Sequence, residues 1–135
     1  MTQIHKTLLN DSQRVTSTAK LFGMAFPLRL EPTVFNMAGL LSVDYNGGLW
    51  HFYTLDNGGF YMAPDLPERF RVVVPSGYGG TLSADAMGIA ACLYAYSHLS
   101  FGGGDLADVC GEHYHLLREF AMDHAEVRAI LAATD

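Results

Sequence analysis

Two Asn-Gly-Gly triplets on either side of an aromatic segment constrain the fold of this chain more than any other feature. Because Asn and Gly adopt positive φ at little steric cost, Asn46-Gly47-Gly48 and Asn57-Gly58-Gly59 predict two tight turns. The side chains of residues 49–55 between them would alternate between the two faces of a strand. One face would hold Trp50, Phe52 and Thr54 and the other Leu49, His51, Tyr53 and Leu55, which suits a strand with neighbours on both sides. Residues 60–63 return antiparallel, and Pro64 ends that strand because it has no N–H to donate. The sequence therefore predicts a β-meander whose central strand is 49–55.

The rest of the chain predicts one or two further strands and several helices. Arginine and apolar residues alternate over 69–74, which indicates a third strand, and Thr81-Leu82 adds a brief edge strand after a turn at 77–80. Helices are predicted over 32–41, 84–99 and 105–120, with a last short helix through 127–131. The expected N-terminal caps are Ser83, Asp105 and the pair of Asp123 with Glu126. This pattern is typical of an α+β fold: a small antiparallel β-sheet of about three to four strands in a meander, with several helices packed around it.

Length and composition predict one domain over residues 1–135. Half of the residues are hydrophobic and 16% are charged, so the chain is able to bury a core of its own. No repeat or linker divides the sequence. Residues 1–25 are less clearly patterned, and they suit either a short helix around 13–22 or a partly ordered arm.

Hydropathy and cysteine use predict a cytoplasmic protein with no membrane contact. No apolar run approaches the roughly 20 residues of a membrane span, and residues 1–10 lack the apolar segment of a signal peptide. Cys92 and Cys110 fall in helical patterns without metal-ligand spacing. Both are therefore expected to be reduced thiols in the core.

No motif indicates a metal, a cofactor or a catalytic centre. His113 and His115 are two residues apart, so on a helix they point roughly 200° from each other and do not converge on one ion. We expect His113 to be half-buried and His115 to face solvent. The serines near glycine lack the GxSxG elbow, and the glycine clusters lack the lysine of a phosphate-binding loop. We expect no enzyme activity, although an enzyme with an unrecognised site stays an alternative, because site residues converge from distant segments.

The aromatic residues of the meander allow two interpretations. Trp50, Phe52 and Phe60 fit core packing, while Tyr53 and Tyr61 are expected to reach the surface and offer a protein contact patch. The alternative is a small nucleic-acid-binding module that stacks bases on these rings. Such a platform also requires a cationic groove, and the meander has few neighbouring bases. Core packing with a tyrosine contact patch is therefore the preferred interpretation.

Negative charge is concentrated at the carboxyl-terminal end of the chain. The net charge is -6, and residues 101–135 hold seven acidic residues against two arginines. Asp108, Glu112 and Glu119 fall on the outer face of the predicted helix 105–120. No basic stripe is visible, so we expect no strong DNA binding, since phosphate neutralisation supplies most non-specific affinity.

Several segments from residue 44 onward resemble, in order, the ArdB/KlcA family of antirestriction proteins, small proteins of plasmids and other mobile elements. The residues that carry the resemblance are Asp44-Tyr45-Asn46-Gly47-Gly48, Trp50, Phe52-Tyr53, Asn57-Gly58-Gly59-Phe60-Tyr61-Met62-Ala63-Pro64, Ser83-Ala84-Asp85-Ala86, Gly88-Ile89, Tyr114-His115 and Leu117-Arg118. Residues 1–25 match less well, so the resemblance does not inform the role of the amino-terminal segment.

The resemblance implies that the protein relieves type I restriction of incoming DNA, and that its partner is a type I restriction-modification complex or an associated host factor. Duplex DNA carries about one charge per 1.7 Å of axis, and this chain falls well short of that density. We therefore expect inhibition by protein contact and not by DNA mimicry. The expected contact residues are Asp108, Glu112, Glu119, Tyr53 and Tyr61.

Overall fold

The computed structural model describes residues 3–135, and in this range it contains five short strands and five α-helices. The strands are β1 (Lys6–Leu8), β2 (Trp50–Leu55), β3 (Phe60–Pro64), β4 (Phe70–Val73) and β5 (Gly79–Leu82). The helices are α1 (Asp11–Phe22), α2 (Glu31–Leu41), α3 (Ala84–Ser100), α4 (Gly104–Ala121) and α5 (Val127–Thr134), and a π-helical turn at Phe26–Leu30 leads into α2. This arrangement confirms the predicted α+β class.

The first sheet has the order β1-β2-β3 and is antiparallel throughout. Strand β2 is central, as predicted, and Gly58 in its turn to β3 has a φ of 93°. The second neighbour of β2 is the amino-terminal strand β1, with Lys6 opposite Leu55. The prediction of a turn at Asn46-Gly47-Gly48 between two strands was therefore wrong. That triplet lies in the loop from α2 into β2, where Gly47 and Gly48 both have positive φ.

The second sheet contains only β4 and β5 among the described residues. Phe70 lies opposite Leu82, and Val73 lies opposite Gly79. The predicted alternation of β4 is confirmed, because Phe70 and Val72 are buried and Arg71 and Val73 are exposed. The predicted turn over residues 77–80 was too long, since Gly79 and Gly80 already belong to β5. The strands are thus divided between two small sheets and do not form one continuous meander.

The helix starts agree with the sequence at α3 and differ at α4 and α5. Ser83 caps α3 as predicted, because its Oγ accepts the N–H of Ala86 at 3.1 Å. The cap of α4 is Gly103, two residues earlier than the expected Asp105, which lies in the first turn of the helix. Asp123 does not cap α5, because residues 122–126 form a run of turns and the helix starts only at Val127.

The amino-terminal segment is built into the fold over its described length. Asn10 and Gln13 form a reciprocal capping box at the start of α1, with two hydrogen bonds of 2.9 Å. The N–H of Leu9 donates to the carbonyl oxygen of Phe52 at 2.9 Å, and the Leu9 side chain is buried. The expectation of a partly ordered arm also included Met1 and Thr2, which lie outside the described residues.

Helix α3 forms the centre of the core. It packs on β3 so closely that a Cβ atom on Gly88 would lie 2.5 Å from Cα of Ala63. The other side of the core is aromatic, with Phe22 in edge contact with Phe60 and Phe26 in edge contact with Phe52. The two cysteines expected as core thiols, Cys92 and Cys110, are both free and buried.

We expect Gly58→Val to destabilise the fold by about 1–3 kcal/mol, because a β-branched residue at a φ of 93° is strained. The matched control is Gly79→Val, since Gly79 lies in β5 at ordinary φ and no atom lies within 4 Å of the position that a Cβ would take there. Urea denaturation of both variants measures the difference. A Gly58→Val protein with native stability and no activity would show instead that the turn is a recognition surface.

Candidate functional site

A polar cluster joins the amino-terminal strand to α3 and to the segment between α4 and α5. At its centre is Asp85, in the first turn of α3. Its carboxylate accepts hydrogen bonds from the Tyr61 hydroxyl at 2.7 Å, from His124 Nε2 at 2.8 Å and from Lys6 Nζ at 3.2 Å. Burial alone would raise the pKa of Asp85, but the bonds from His124 and Tyr61 and the charge of Lys6 lower it to about 2. We call Lys6, Tyr61, Asp85 and His124 the Asp85 cluster.

Tyr61 is fully buried, which corrects the expectation that it reaches the surface. Its ring stacks on Tyr53 at 4.9 Å and lies 5.6 Å from Phe120 of α4. Burial, followed by the nearby Asp85 carboxylate, raises the pKa of the Tyr61 hydroxyl far above its usual range. Every residue of β3 is buried, because helices cover it. The unbroken apolar run from Phe60 to Ala63 is the sequence signal for such a strand.

Both ring nitrogens of His124 are occupied. The backbone N–H of Glu126 donates to Nδ1 at 2.9 Å, so Nδ1 carries no proton and Nε2 is the nitrogen that donates to Asp85. A histidine held in this way has no free nitrogen with which to accept a substrate proton. His124 therefore positions the Asp85 carboxylate.

Glu126 forms a second polar junction beside the Asp85 cluster. Its carboxylate accepts the Ser83 N–H at 3.0 Å, the Ser83 hydroxyl, and Arg69 Nη2 at 3.3 Å. Burial would raise the pKa of Glu126, but the two bonds from Ser83 and the charge of Arg69 lower it. This role explains why Glu126 does not take part in a cap with Asp123. It ties the start of α5 to the start of α3.

Two clefts open on either side of the Lys6–Asp85 ion pair, and both residues line each of them. The first cleft has a volume of about 310 Å³. Its other lining residues are Gln3, Ile4, His5, Phe120, Asp123 and His124. The second has a volume of about 210 Å³ and is also lined by His51, Tyr53 and Asp65. The pair of Lys6 and Asp85 thus forms the wall between two small polar depressions.

The predicted acidic contact residues lie on another part of the surface. Asp108, Glu112 and Glu119 are all exposed, and their spacing places them on one side of α4. We call these three residues the acidic face. Asn57 joins this face to the β2–β3 turn, because its Nδ2 donates to the Leu116 carbonyl oxygen at 2.9 Å and lies 3.4 Å from Oε1 of Glu119.

The five predicted contact residues therefore do not form one patch. Tyr53 is half-buried at the rim of the second cleft, with the Lys6 ammonium 4.5 Å from the centre of its ring. Tyr61 separates Tyr53 from Phe120, and the acidic face lies on the outer side of the helix that carries Phe120. The sequence did not reveal the Asp85 cluster, because its members come from four separate segments. The only local signal was an aspartate two residues after a serine cap.

His113 is buried with 5% of its surface exposed, more deeply than predicted, and His115 is exposed as predicted. The His113 ring lies 4.8 Å from that of Phe22, and its Nδ1 has no hydrogen-bond partner among the described residues. Burial lowers the pKa of His113, and the nearby Glu112 opposes this effect. Within residues 3–135 no three His, Cys, Asp or Glu side chains are grouped so as to hold a metal ion.

We expect acid to destabilise the protein partly through His113. Since the folded pKa is lowered, the unfolded chain binds more protons, and stability falls as pH decreases below the unfolded value of about 6.5. The slope from this one group is at most about 1.4 kcal/mol per pH unit. Urea denaturation at several pH values should show a flatter profile for His113→Phe. The exposed control His115→Phe should keep the native slope, and an unchanged slope in His113→Phe would contradict the expectation.

The described part of the chain contains no helix with the length and apolar character needed to cross a membrane.

Comparisons with known proteins give a consistent result. A family model described as "Antirestriction protein" matches residues 43–135. Two antirestriction proteins KlcA of Escherichia coli are 43% and 45% identical over 132 and 134 residues, which is 96% of this chain and 93% and 92% of theirs. The uncharacterised protein YafX of E. coli K12 is 42% identical over 96% of this chain and 86% of its own length.

A solved structure has the same fold as this chain. It comes from work on the KlcA and ArdB proteins, which are described as having a novel fold and antirestriction activity against type I DNA restriction systems in vivo but not in vitro. The TM-score is 0.90 at 39% identity, over 100% of this chain and 99% of the solved one. The ArdB/KlcA resemblance in the sequence is therefore confirmed, and it extends through the amino-terminal residues that had matched less well.

Proposed function

Because the chain belongs to the antirestriction protein family, we propose that it relieves type I restriction of incoming DNA through contact with a protein and without imitating DNA. The observation that carries this proposal is the agreement with the KlcA and ArdB structure over the whole chain, at a TM-score of 0.90. The match covers the whole of both chains, so no part of that fold is missing here. An activity described for those proteins is therefore the first to test here.

The distribution of charge supports protein contact over DNA mimicry. Helix α4 has 18 residues, which span about 27 Å, and carries four acidic side chains against Arg118. Duplex DNA of that length carries roughly 16 phosphate charges. A face with about a quarter of that charge is a poor substitute for a phosphate track.

Many of the other carboxylates are engaged within the protein and do not add to an acidic surface. Asp44 pairs with Arg71, Asp85 with Lys6, Glu126 with Arg69 and Asp135 with Arg118, while His51 donates to Asp65. The Asp44 pair has three hydrogen bonds from one guanidinium to one carboxylate. Asp108, Glu112 and Glu119 of the acidic face take part in none of these ion pairs, so their negative charge stays available to a partner.

The proposed contact surface consists of two separate parts, the acidic face and Tyr53 at the rim of the second cleft. Asp108, Glu112 and Glu119 would steer a positively charged partner into position, and Tyr53 would add contact area. Tyr61 contributes indirectly, by supporting the ring of Tyr53. The partner is a type I restriction-modification complex or a host factor associated with it.

The description of activity in vivo but not in vitro supports a partner that purified components lack. An inhibitor that needs only the purified enzyme would be expected to work in both settings. A host factor, or a state of the restriction complex that exists only in cells, accounts for the difference. This reasoning applies to the present chain through its shared fold.

The described structure gives little support to the two alternative functions. The rings of Trp50, Phe52, Phe60 and Tyr61 are buried, so they offer no platform for stacking bases. In the Asp85 cluster both nitrogens of His124 are occupied. The Ser83 hydroxyl is likewise committed, because it donates to Glu126 and accepts from Ala86. These groups suit a structural junction better than acid–base or nucleophilic catalysis.

The test is the plating efficiency of unmodified phage on cells that carry a type I restriction system, with and without this protein. A matched strain that carries only a type II enzyme serves as the control. We expect relief in the type I strain alone. Absence of relief with folded, expressed protein present would refute the proposal.

A further inference from the structure

Lys6 occupies a site built to hold a cation. Its ammonium group donates to Oδ1 of Asp85 at 3.2 Å and lies 4.5 Å from the centre of the Tyr53 ring. A carboxylate beside an aromatic face is the combination that recognises ammonium and guanidinium groups. Lys6 belongs to β1, which is an edge strand, and all three side chains of β1 are exposed.

The carboxylate of Asp85 is held rigidly while retaining room for a ligand. Oδ1 accepts from Tyr61 and from Lys6, and Oδ2 accepts from His124. A carboxylate has about four acceptor positions, two on each oxygen. Displacing Lys6 would leave one position on each oxygen, which matches the two parallel N–H groups of an arginine side chain.

The charge of the two clefts favours a positive ligand. Asp85 and Asp123 line the first cleft, Asp85 and Asp65 line the second, and Lys6 is the only lysine or arginine that lines either among the described residues. The two clefts thus contain three carboxylates and one ammonium group, and histidines donate to two of these carboxylates, His51 to Asp65 and His124 to Asp85. If Lys6 left, its place would be strongly favourable for another cation.

The size of the clefts favours a side chain over a small-molecule cofactor. Their volumes of about 310 Å³ and 210 Å³ lie at or below the lower end of the range of roughly 300–1,000 Å³ typical of small-molecule sites. Both are open depressions that share the Lys6–Asp85 wall. An extended side chain entering from a partner surface would fit such a depression.

We infer that the Asp85 cluster is a receptor for one arginine side chain of a partner protein, and that Lys6 closes this receptor in the isolated chain. The inference rests on the proposed function only in taking the partner to be a protein. The Lys6 side chain is 40% exposed and its stem is flexible, so it is able to move aside without unpairing β1. An incoming guanidinium would replace one ammonium bond with two hydrogen bonds and would lie against Tyr53.

The test uses the full-length protein and a capped Gly-Arg-Gly peptide as the probe, with NMR of the His124 and Tyr53 rings as the readout. The matched control peptide contains citrulline, which has the shape of arginine without its charge. A partly exposed ion pair is weak, so opening it by Lys6→Ala should strengthen arginine binding about two- to sixfold over the native protein. The citrulline peptide should give no shift at either ring.

Adding Asp85→Asn to Lys6→Ala should abolish the arginine-specific shifts. Should that double variant fail to fold, the comparison of arginine with citrulline on Lys6→Ala still decides the question. Equal shifts with both peptides, or no shifts at His124 and Tyr53, would overturn the inference. Relief of type I restriction is measured separately: relief without arginine binding refutes this inference alone, and arginine binding without relief refutes the proposed function alone.

Discussion

Gly88→Ala is expected to destabilise the protein by about 3 kcal/mol or more, which is a large fraction of the stability of a small domain. The added Cβ would lie 2.5 Å from three atoms: Cα and Cβ of Ala63 and the carbonyl oxygen of Met62. Two of these atoms belong to the backbone of β3, so no change of side-chain conformation relieves the clash. Helix α3 and β3 would have to separate, and this would open the contact at the centre of the core.

Gly39→Ala is the matched control for this prediction. Gly39 lies within α2, and no atom lies within 4 Å of the position that its Cβ would take. Alanine at this position should stabilise the protein by about 0.5–1 kcal/mol, because glycine is unfavourable inside a helix. Urea denaturation of both variants provides the comparison. Native stability in Gly88→Ala would show that α3 and β3 lie farther apart than described.

Reversing the acidic face is expected to abolish relief of type I restriction while leaving the fold intact. The variant replaces Asp108, Glu112 and Glu119 with lysine, which changes the net charge from -6 to about zero. All three side chains are exposed, so stability should change little. If the face steers a positively charged partner, its reversal should slow association by about 10- to 1,000-fold. Plating efficiency should then fall to that of cells without the protein.

A variant with the same change of charge elsewhere controls for net charge. Asp11, Asp56 and Glu68 are exposed and lie outside α4, and their replacement with lysine should retain most of the relief. Circular dichroism of both variants checks folding. Full protection by the α4 variant would remove the acidic face from the proposal. Equal loss in both variants would show that the overall charge matters and not the face.

The elements that the sequence predicted correctly are those with strong local signals. The turn at Asn57-Gly58-Gly59 fixes the β2–β3 hairpin, because its glycine takes positive φ and its asparagine accepts the Gly59 N–H. The Ser83 cap and the run of small apolar residues after it similarly identify α3. In each case the residues that determine the element lie within it, so no distant partner is needed to recognise it.

The sequence did not predict features that depend on distant pairing. Strand β1 has three residues and no alternating pattern, and its partner Leu55 lies far along the chain from Lys6. The division into two sheets was missed for the same reason. The Asp85 cluster unites residues 6, 61, 85 and 124, and such convergence has no signature in spacing.

The predicted contact residues show the same contrast between local signals, which the sequence reveals, and tertiary contacts, which it does not. The helical period correctly placed Asp108, Glu112 and Glu119 on the exposed side of α4, while their role in binding stays a prediction. The expectation that Tyr61 reaches the surface was wrong, because the whole of β3 is buried. Helices α3 and α4 pack against the strand, and this burial depends on the tertiary structure.

The central position of α3 sets the order in which the chain is able to fold during synthesis. Helix α2 and strand β3 both pack on α3, yet they are synthesised before residues 84–100. Strand β1 is able to pair only after β2 has been made, and Lys6 is able to pair only after Asp85, which is 79 residues further along. The apolar faces made first therefore stay without partners until about three quarters of the protein has been translated. A small domain with so many distant contacts is expected to fold slowly and to need protection from aggregation during that interval.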